Sequence, residues 1–349
     1  MLSPVARACA QAPARTGKAL PVVGIYLTSP RKELERDYWA PFVEGMRELG
    51  WVDRKNVVYD FEDAPRNLRS PQDNAQMREL AQALVARKPD VIWLASSLSA
   101  TPLVYVTRHD AAGNSIPLAK QIPVVGAAVS EVVKRDLAES IGRPGKNFTG
   151  ISNFAWELGA KRFELLYDIM PKLSRVGVLM VPENANCEEE LKLIQKVAAP
   201  KRVAVVRAKM EKEDEAEAAF AELAKSRAEA VLIAHHPLFQ NHSAKILELA
   251  THHRIPAVGH RSSFSEAPKN GALIAYSTVL SEQMRRSAVL VDKILKGTKP
   301  AVIPVEQPTK TELVINVDAA KKLGLVIPQN VMIRADKICS DAGCSSTRS

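Results

Sequence analysis

Between residues 96 and 101 the chain reads Ser96-Ser97-Leu98-Ser99-Ala100-Thr101, four hydroxyls in six residues directly after a short apolar run, Val91–Leu94. A strand that delivers hydroxyls onto the first turn of a helix presents O–H and N–H donors together, which suits a carboxylate. The competing role for Ser97, Ser99 and Thr101 is to cap that helix, and capping and ligand contact can coexist at one terminus. Thr28-Ser29 and Ala128-Val129-Ser130 are similar polar strand ends. In the second half the matching positions are Asn153, Trp156, Glu183, Asn184, His236, Arg261 and Tyr276. Arg261 has the fork to hold a carboxylate through two hydrogen bonds, unless it is simply a surface arginine. Trp156 or Tyr276 could stack on a ring, although a tryptophan more often packs a core. Glu183 is a candidate acceptor for an ammonium group. A carboxylate clamp together with Glu183 would specify an amino acid, whereas the clamp alone fits a simple organic acid equally well.

Six of the seven histidines, His235, His236, His242, His252, His253 and His260, fall between residues 235 and 260. Metal binding is the reading to weigh, but the spacing lacks a matching carboxylate pattern, and neighbouring histidines on a strand or helix point in different directions. No metal and no cofactor are expected. A P-loop, a GxGxxG turn, a GxSxG elbow and an HExxH pair are all missing from the sequence. Glu62-Asp63 and Glu188-Glu189-Glu190 read as solvated loops or first-turn acids rather than an acid/base pair. The chemistry expected is binding, not turnover.

These residues sit in a chain of 349, long enough for two domains with separate cores. Hydrophobic residues make up 46% and charged residues 25%, as in globular proteins, and the apolar runs are of strand length, far short of the roughly 20 residues a membrane helix needs. The net charge of +9 is scattered and interleaved with acids, as in Arg31-Lys32-Glu33-Leu34-Glu35-Arg36-Asp37. With aromatics at 5% there is no stacking platform, so no nucleic-acid partner is expected. Cys339 and Cys344 could close a small disulfide loop in an oxidising compartment, although unpaired cysteines fit the spacing better. Residues 1–19, Ala-rich and basic, are set outside the fold as a disordered tail or the remnant of a signal sequence. Ala8-Cys9-Ala10 has the small-x-small form of a cleavage site but lacks an apolar run before it.

From Pro21 onward short apolar runs alternate with amphipathic segments, the pattern of parallel sheets covered by helices. The alternation occurs twice. Val22–Leu27, Val57–Phe61, Val91–Leu94 and Val124–Ala127 form the first set. Thr149–Ser152, Arg175–Val181, Val203–Arg207, Ala230–Ala234, Ala257–Gly259 and Ala272–Tyr276 form the second. The expected architecture is therefore α/β, two doubly wound parallel-sheet lobes with a ligand cleft between them. The first lobe is assigned to 20–147 plus 278–303, the second to 148–277 plus 304–338, and 339–349 to a disordered tail. Ligands of open α/β sheets bind beyond the carboxyl ends of the strands, which is why the polar strand ends are the candidate contacts.

Several segments carry a resemblance: Pro41-Phe-Val-Glu-Gly-Met-Arg-Glu-Leu-Gly-Trp51, Lys88-Pro-Asp-Val-Ile92, Arg143-Pro-Gly-Lys-Asn-Phe-Thr-Gly150, Gly159-Ala-Lys-Arg-Phe-Glu-Leu-Leu166 and Val291-Asp-Lys-Ile-Leu-Lys-Gly297. To these are added Pro237-Leu-Phe239, the linker Pro304-Val-Glu-Gln-Pro-Thr-Lys310 with its strand Thr311–Asn316, and the closing Ile333-Arg-Ala-Asp336. Over residues 21–338 the chain resembles the ABC-transporter substrate-binding family whose better-known members bind tryptophan and other aromatic amino acids. The resemblance implies the type I periplasmic-binding-protein fold and an extracytoplasmic, monomeric receptor. It also implies a small-molecule ligand held by closure of two lobes and passed to the permease and ATPase subunits of an importer. A ligand-sensing receptor domain of the same fold, feeding a signalling partner, is the alternative. The chain departs from the family at Val129-Ser130-Glu131-Val132, where Gly-x-Asp-Pro is common. It departs again at His235-His236-Pro237 and at Val258-Gly259-His260-Arg261-Ser262, so the familiar ligands do not transfer automatically.

Overall fold

The computed structural model describes residues 19–64, 68, 73–267 and 270–347. The expectation of an amino-terminal tail or signal remnant lies outside the described residues, apart from Ala19. The chain divides into two compact units, residues 1–153 with 280–308 and residues 154–279 with 309–349.

The first unit holds five parallel strands, β1 (Val22–Leu27), β2 (Val58–Asp63), β3 (Val91–Leu94), β4 (Val124–Val129) and β5 (Phe148–Ser152), ordered β2-β1-β3-β4-β5. Successive side chains face opposite sides of a strand. Val23, Ile25 and Leu27 accordingly join Phe42, Met46, Met284 and Val291 in one core layer, while Tyr26 joins Leu84, Leu103 and Phe148 in another. The helices Ala40–Glu48 and Leu280–Leu295 cover the first face and touch closely at Gly45, where a Cβ would stand 2.8 Å from the Arg285 carbonyl oxygen. Two indoles tie the sheet side to the second of these helices: Trp93 Nε1 donates to Ser287 Oγ at 2.8 Å and Trp51 Nε1 to Asp292 Oδ1 at 2.8 Å.

The second unit holds eight strands: β6 (Arg175–Met180), β7 (Ala204–Lys209), β8 (Ala230–Ile233), β9 (Ala257–Gly259), β10 (Ile274–Thr278), β11 (Thr311–Asn316), β12 (Lys337–Ser340) and β13 (Gly343–Ser346). Their order is β13-β12-β11-β10-β9-β8-β6-β7. From β7 to β10 the sheet is parallel, while β11 runs antiparallel to β10 and β13 antiparallel to β12. The expected all-parallel second sheet is therefore mixed at one edge.

Two expectations are corrected by pairing. Residues 148–152 do not open the second lobe; they form β5, which lies beside β4 through Val124↔Phe148 and Val125↔Thr149. The proline-rich segment continues that edge, with Ser152 N–H donating to Glu306 O at 2.7 Å and Glu306 N–H to Gly150 O at 2.9 Å. This keeps residues 304–308, assigned from the sequence to the second lobe, in the first unit. The segment 339–347 is not a disordered tail, because β12 and β13 form a hairpin cross-linked by a Cys339–Cys344 disulfide. Short polar strands of this kind carry no apolar signature, so they are invisible to hydrophobic patterning.

Candidate functional site

Each sheet presents its own polar carboxyl edge. In the first unit the residues after β1, β3, β4 and β5 are neighbours because those strands are neighbours. Ser96 has extended backbone and precedes the helix Ser97–Arg108. Ser97 Oγ sits 3.0 Å from Ser130 Oγ and accepts the Ser130 N–H at 2.9 Å, so the two loops are stitched together. Ser130 is held by strained backbone on both sides: Ala128 and Glu131 have φ of 64° and 55°, a left-handed region costly to side chains with a Cβ. The β4–β5 register also shifts between Gly126 and Val129, the irregularity that re-aims a strand end.

Thr28 and Ser29 are buried at the end of β1, with the Thr28 carbonyl accepting from Leu68 N–H at 2.8 Å. Ser99 turns inward, donating to the Ser96 carbonyl at 3.2 Å, and Thr101 lies exposed a turn further along. Ser99 is thus engaged within its own turn, and among the described residues no side chain caps the start of this helix. Asn153, grouped from the sequence with the second lobe, closes the first unit's edge, its N–H donating to Val129 O at 3.2 Å. Beside it Ser152 is buried with a hydroxyl that has no hydrogen-bond partner among the described residues.

The second unit's edge is organised by a buried ion pair that sequence reading did not single out. Arg162, on the helix Gly159–Ile169, is 0% exposed and Glu190, on the helix Ala185–Ala198, is 1% exposed. Arg162 Nη1 donates to Glu190 Oε1 at 2.5 Å, Nη2 to Ala155 O at 2.7 Å and Nε to Tyr276 O at 2.9 Å. Glu190 Oε2 accepts the His235 N–H at 2.7 Å. The pair therefore fixes the backbone that follows β8 and the strand β10. Gly159 permits the approach, since a Cβ there would fall 2.5 Å from Glu190 Cγ. Burial pushes the Glu190 carboxyl up, to about 7, against the opposing pull of Arg162 and of the His235 N–H. The sequence did hold a signal: Glu190 lies on the apolar stripe Cys187, Leu191, Ile194, and Arg162 lies between Gly159 and Leu166 on theirs. A charge on the core face of a helix requires a partner.

Above this pair stand three of the histidines. His235 and His260 meet edge to face with ring centroids 5.2 Å apart. His260 is 1% exposed, and its Nδ1 has no hydrogen-bond partner among the described residues. Burial first, then the nearby Arg261 and Arg162 charges for His235, and His235 with the same arginines for His260, hold both imidazoles neutral. His236 Nδ1 accepts the Leu238 N–H at 3.2 Å, capping the short helix Pro237–Asn241, and burial lowers its pKa to about 4. Arg261 follows β9 at the head of the turn Ser262–Phe264. Tyr276 directs its hydroxyl to Thr311 Oγ1 at 2.9 Å. Asn184 Oδ1 caps the helix Ala185–Ala198 by accepting from Cys187 N–H at 3.1 Å, while Glu183 is exposed at φ 59°. Trp156, on the turn Ala155–Leu158, keeps a buried indole N–H without a partner among the described residues. The other three histidines are elsewhere: His242 sits 3.3 Å from Glu213, and His252 and His253 end a helix, the latter stacking on Phe220. Among the described residues no group of three or more His, Cys, Asp or Glu side chains is placed to hold a metal ion.

Two α/β units whose sheets end in polar, hydrogen-bonding edges give the chain the type I periplasmic-binding-protein fold. Residues 37–339 match the model of the ABC transporter substrate binding protein family, and the chain belongs to that family, one of binding proteins rather than enzymes. It is similar to the tyrosine-binding protein of Clostridioides difficile (strain R20291), 24% identical over 284 residues that cover 81% of this chain and 75% of that one. Among solved structures it resembles the L-Trp complex of an ABC domain from Streptococcus pneumoniae, with a TM-score of 0.76 at 20% identity over 92% of this chain and all of that one. A conserved domain protein from Vibrio cholerae O1 biovar eltor matches with the same TM-score and coverage at 24% identity.

Proposed function

We propose that this chain is the extracytoplasmic receptor of an ABC importer, a monomer that captures a small organic solute, an amino acid or an aromatic or other organic acid. The two units serve as lobes, and solute contacts available only in a closed state favour closure. The loaded receptor then delivers its solute to the permease, whose ATPase subunits drive import. Family membership supports this reading, as do relatives whose names or complexes specify tyrosine and L-Trp. The observation that carries it is the stitched, strained Ser97–Ser130 edge, where hydroxyls and a helix start are held ready at the carboxyl ends of parallel strands. The contacts proposed are Thr28, Ser29, Ser96, Ser97, Ser130 and Asn153 on the first unit. On the second they are Trp156, Glu183, Asn184, His236, Arg261 and Tyr276.

The test is a thermal-shift and calorimetric screen of the purified protein against aromatic and branched amino acids, aromatic acids and small dicarboxylates. A ligand at 100 times its dissociation constant adds about 2.7 kcal/mol, a readily measured shift. Binding of one such class that is weakened at least tenfold by Ser97→Ala supports the reading. Silence across the whole panel refutes it.

A further inference from the structure

At the end of the second sheet away from its polar loops, the second unit keeps a hollow. It lies where β9 and β10 begin, between the helices Ser243–His252 and Val317–Lys322, and has a volume of about 220 Å³. Its walls include Leu247, Ala250, Ile255, Ala257, Leu273 and Ala319, none more than 8% exposed. Three of these six are alanines, which leave space that longer side chains would fill. Two polar side chains that border the hollow are already spent. Asn316 Oδ1 accepts the Ala319 N–H at 2.8 Å and its Nδ2 donates to Ser265 O at 2.9 Å, while Thr251 Oγ1 donates to Leu247 O at 2.8 Å. What remains inside is mainly hydrocarbon. An apolar cavity of about 150 Å³ takes up benzene, so this one has room for a benzene-sized body and a small head group.

The charge sits at the rim. Of the three charged residues that border the hollow, Arg254, Lys322 and Asp341, the last two stand 3.1 Å apart and offset each other. Asp341 is held there, because it lies in the turn of the disulfide-linked β12–β13 hairpin and its N–H donates to Asp318 Oδ2 at 2.7 Å. Arg254 follows the helix Ser243–His252 at φ 53°, and its guanidinium makes no hydrogen bond or ion pair among the described residues. It is the uncompensated charge of the site. A guanidinium only donates, and its planar fork matches a carboxylate. Asn270, also at the rim, has an amide that is likewise without a side-chain partner among the described residues and can donate beside it.

We infer that this hollow at the amino edge of the second sheet is a binding site for a small monocarboxylic acid with an apolar body, its ring or branched chain against the alanine-lined walls and its carboxylate at Arg254. The site lies at the opposite ends of the strands from the loops that carry His236 and Arg261, and it does not depend on the receptor reading.

The experiment is leucine-methyl NMR of the full chain titrated with benzoate, benzyl alcohol and benzylamine, three probes with one ring and different heads. Benzoate is expected to shift the methyl signals of Leu247, Leu273 and Leu323, which border the hollow, and to saturate them. Benzyl alcohol should bind more weakly and benzylamine not at all. Arg254→Gln should weaken benzoate about fivefold, as for an exposed ion pair. Ala319→Leu should abolish the response by filling the hollow, and if that variant does not fold, the Arg254→Gln titration decides. Benzoate bound at the proposed solute contacts would leave these three leucines still, so the two sites are read separately. Leucine signals that no probe moves, a response to benzyl alcohol or benzylamine as strong as to benzoate, or an Arg254→Gln titration identical to the parent's overturns the inference.

Discussion

Replacing Glu190 by glutamine is the sharpest available test of how the second unit's edge is held. The substitution keeps an acceptor for the His235 N–H but removes the charge facing Arg162, which is fully buried and has no water to turn to. Breaking a buried ion pair by removing one partner costs about 3–5 kcal/mol. Arg162→Met leaves the carbonyls of Ala155 and Tyr276 without their donor, at about 1–3 kcal/mol each, on top of a lone carboxylate. That carboxylate has an escape, since burial already raises its pKa to about 7, so Arg162→Met should lose less stability at pH 6 than at pH 8. Glu190→Gln has no such escape. Each single change is expected to lower the second unit's stability by about 4 kcal/mol, or about 10 °C in melting temperature for a unit of this size. The double change Arg162→Met/Glu190→Met leaves no unpaired charge and should cost no more than either single one, an interaction energy of at least about 4 kcal/mol. Because two units need not unfold together, the assay is hydrogen exchange read by mass spectrometry on peptides spanning β8 and β10, alongside thermal melts. Additive losses, or a loss below about 1 kcal/mol for Glu190→Gln, would refute the assignment of this pair as the anchor of the edge.

Three further outcomes are expected. Ser287→Ala strands the fully buried indole N–H of Trp93 and should cost the first unit about 1–3 kcal/mol, which a chemical-denaturation series checks. Acid should weaken the second unit. His235, His236 and His260 bind fewer protons folded than unfolded, so their contribution is full above about pH 6.5 and is lost as pH falls toward the folded value, about 4 for His236, which alone accounts for up to about 3 kcal/mol. Glu190 has the opposite slope between about 4.5 and 7 and offsets only part of this, so a melting profile that stays level or rises down to pH 4.5 would contradict the buried, neutral histidines. Cys344→Ser opens a five-residue spacing and should loosen the β12–β13 hairpin by about 2 kcal/mol, seen as faster hydrogen exchange there while β6 and β8 are unchanged.

The parallel core was legible because continuous apolar runs such as Val91–Leu94 and Val176–Met180 can only be strands covered on both faces, and their ends named the polar loops in advance. Pairing was not legible. Phe148–Ser152 looks the same whether it closes one sheet or opens the next, and only its bonds to β4 and to Glu306 decide. That choice moved Asn153 from one unit to the other. The hydroxyl run at 96–101 was located correctly as a helix start, yet a sequence cannot tell which hydroxyls turn inward, as Ser99 does, and which reach across, as Ser97 does to Ser130. Glu190 was read as a solvated first-turn acid because it stands in a run of three glutamates; the helical period puts it inward and Glu189 outward. In the histidine-rich stretch, closeness along the chain is not closeness in space, and only His235, His236 and His260 share one edge.

The chain passes between the two units three times, at 153/154, 279/280 and 308/309. The consequence is one of timing during synthesis. When the ribosome has made the first 153 residues, all five strands of the first sheet exist, but the helix that shields one of its faces is still about 130 residues away, and Trp51 and Trp93 have no partners for their indole N–H groups. The half-finished first unit therefore waits, with an open apolar face, while the central part of the second unit emerges. An export route that carries chains across a membrane before they fold would find that delay useful, and a chaperone that grips exposed apolar surface would have its longest opportunity on this face.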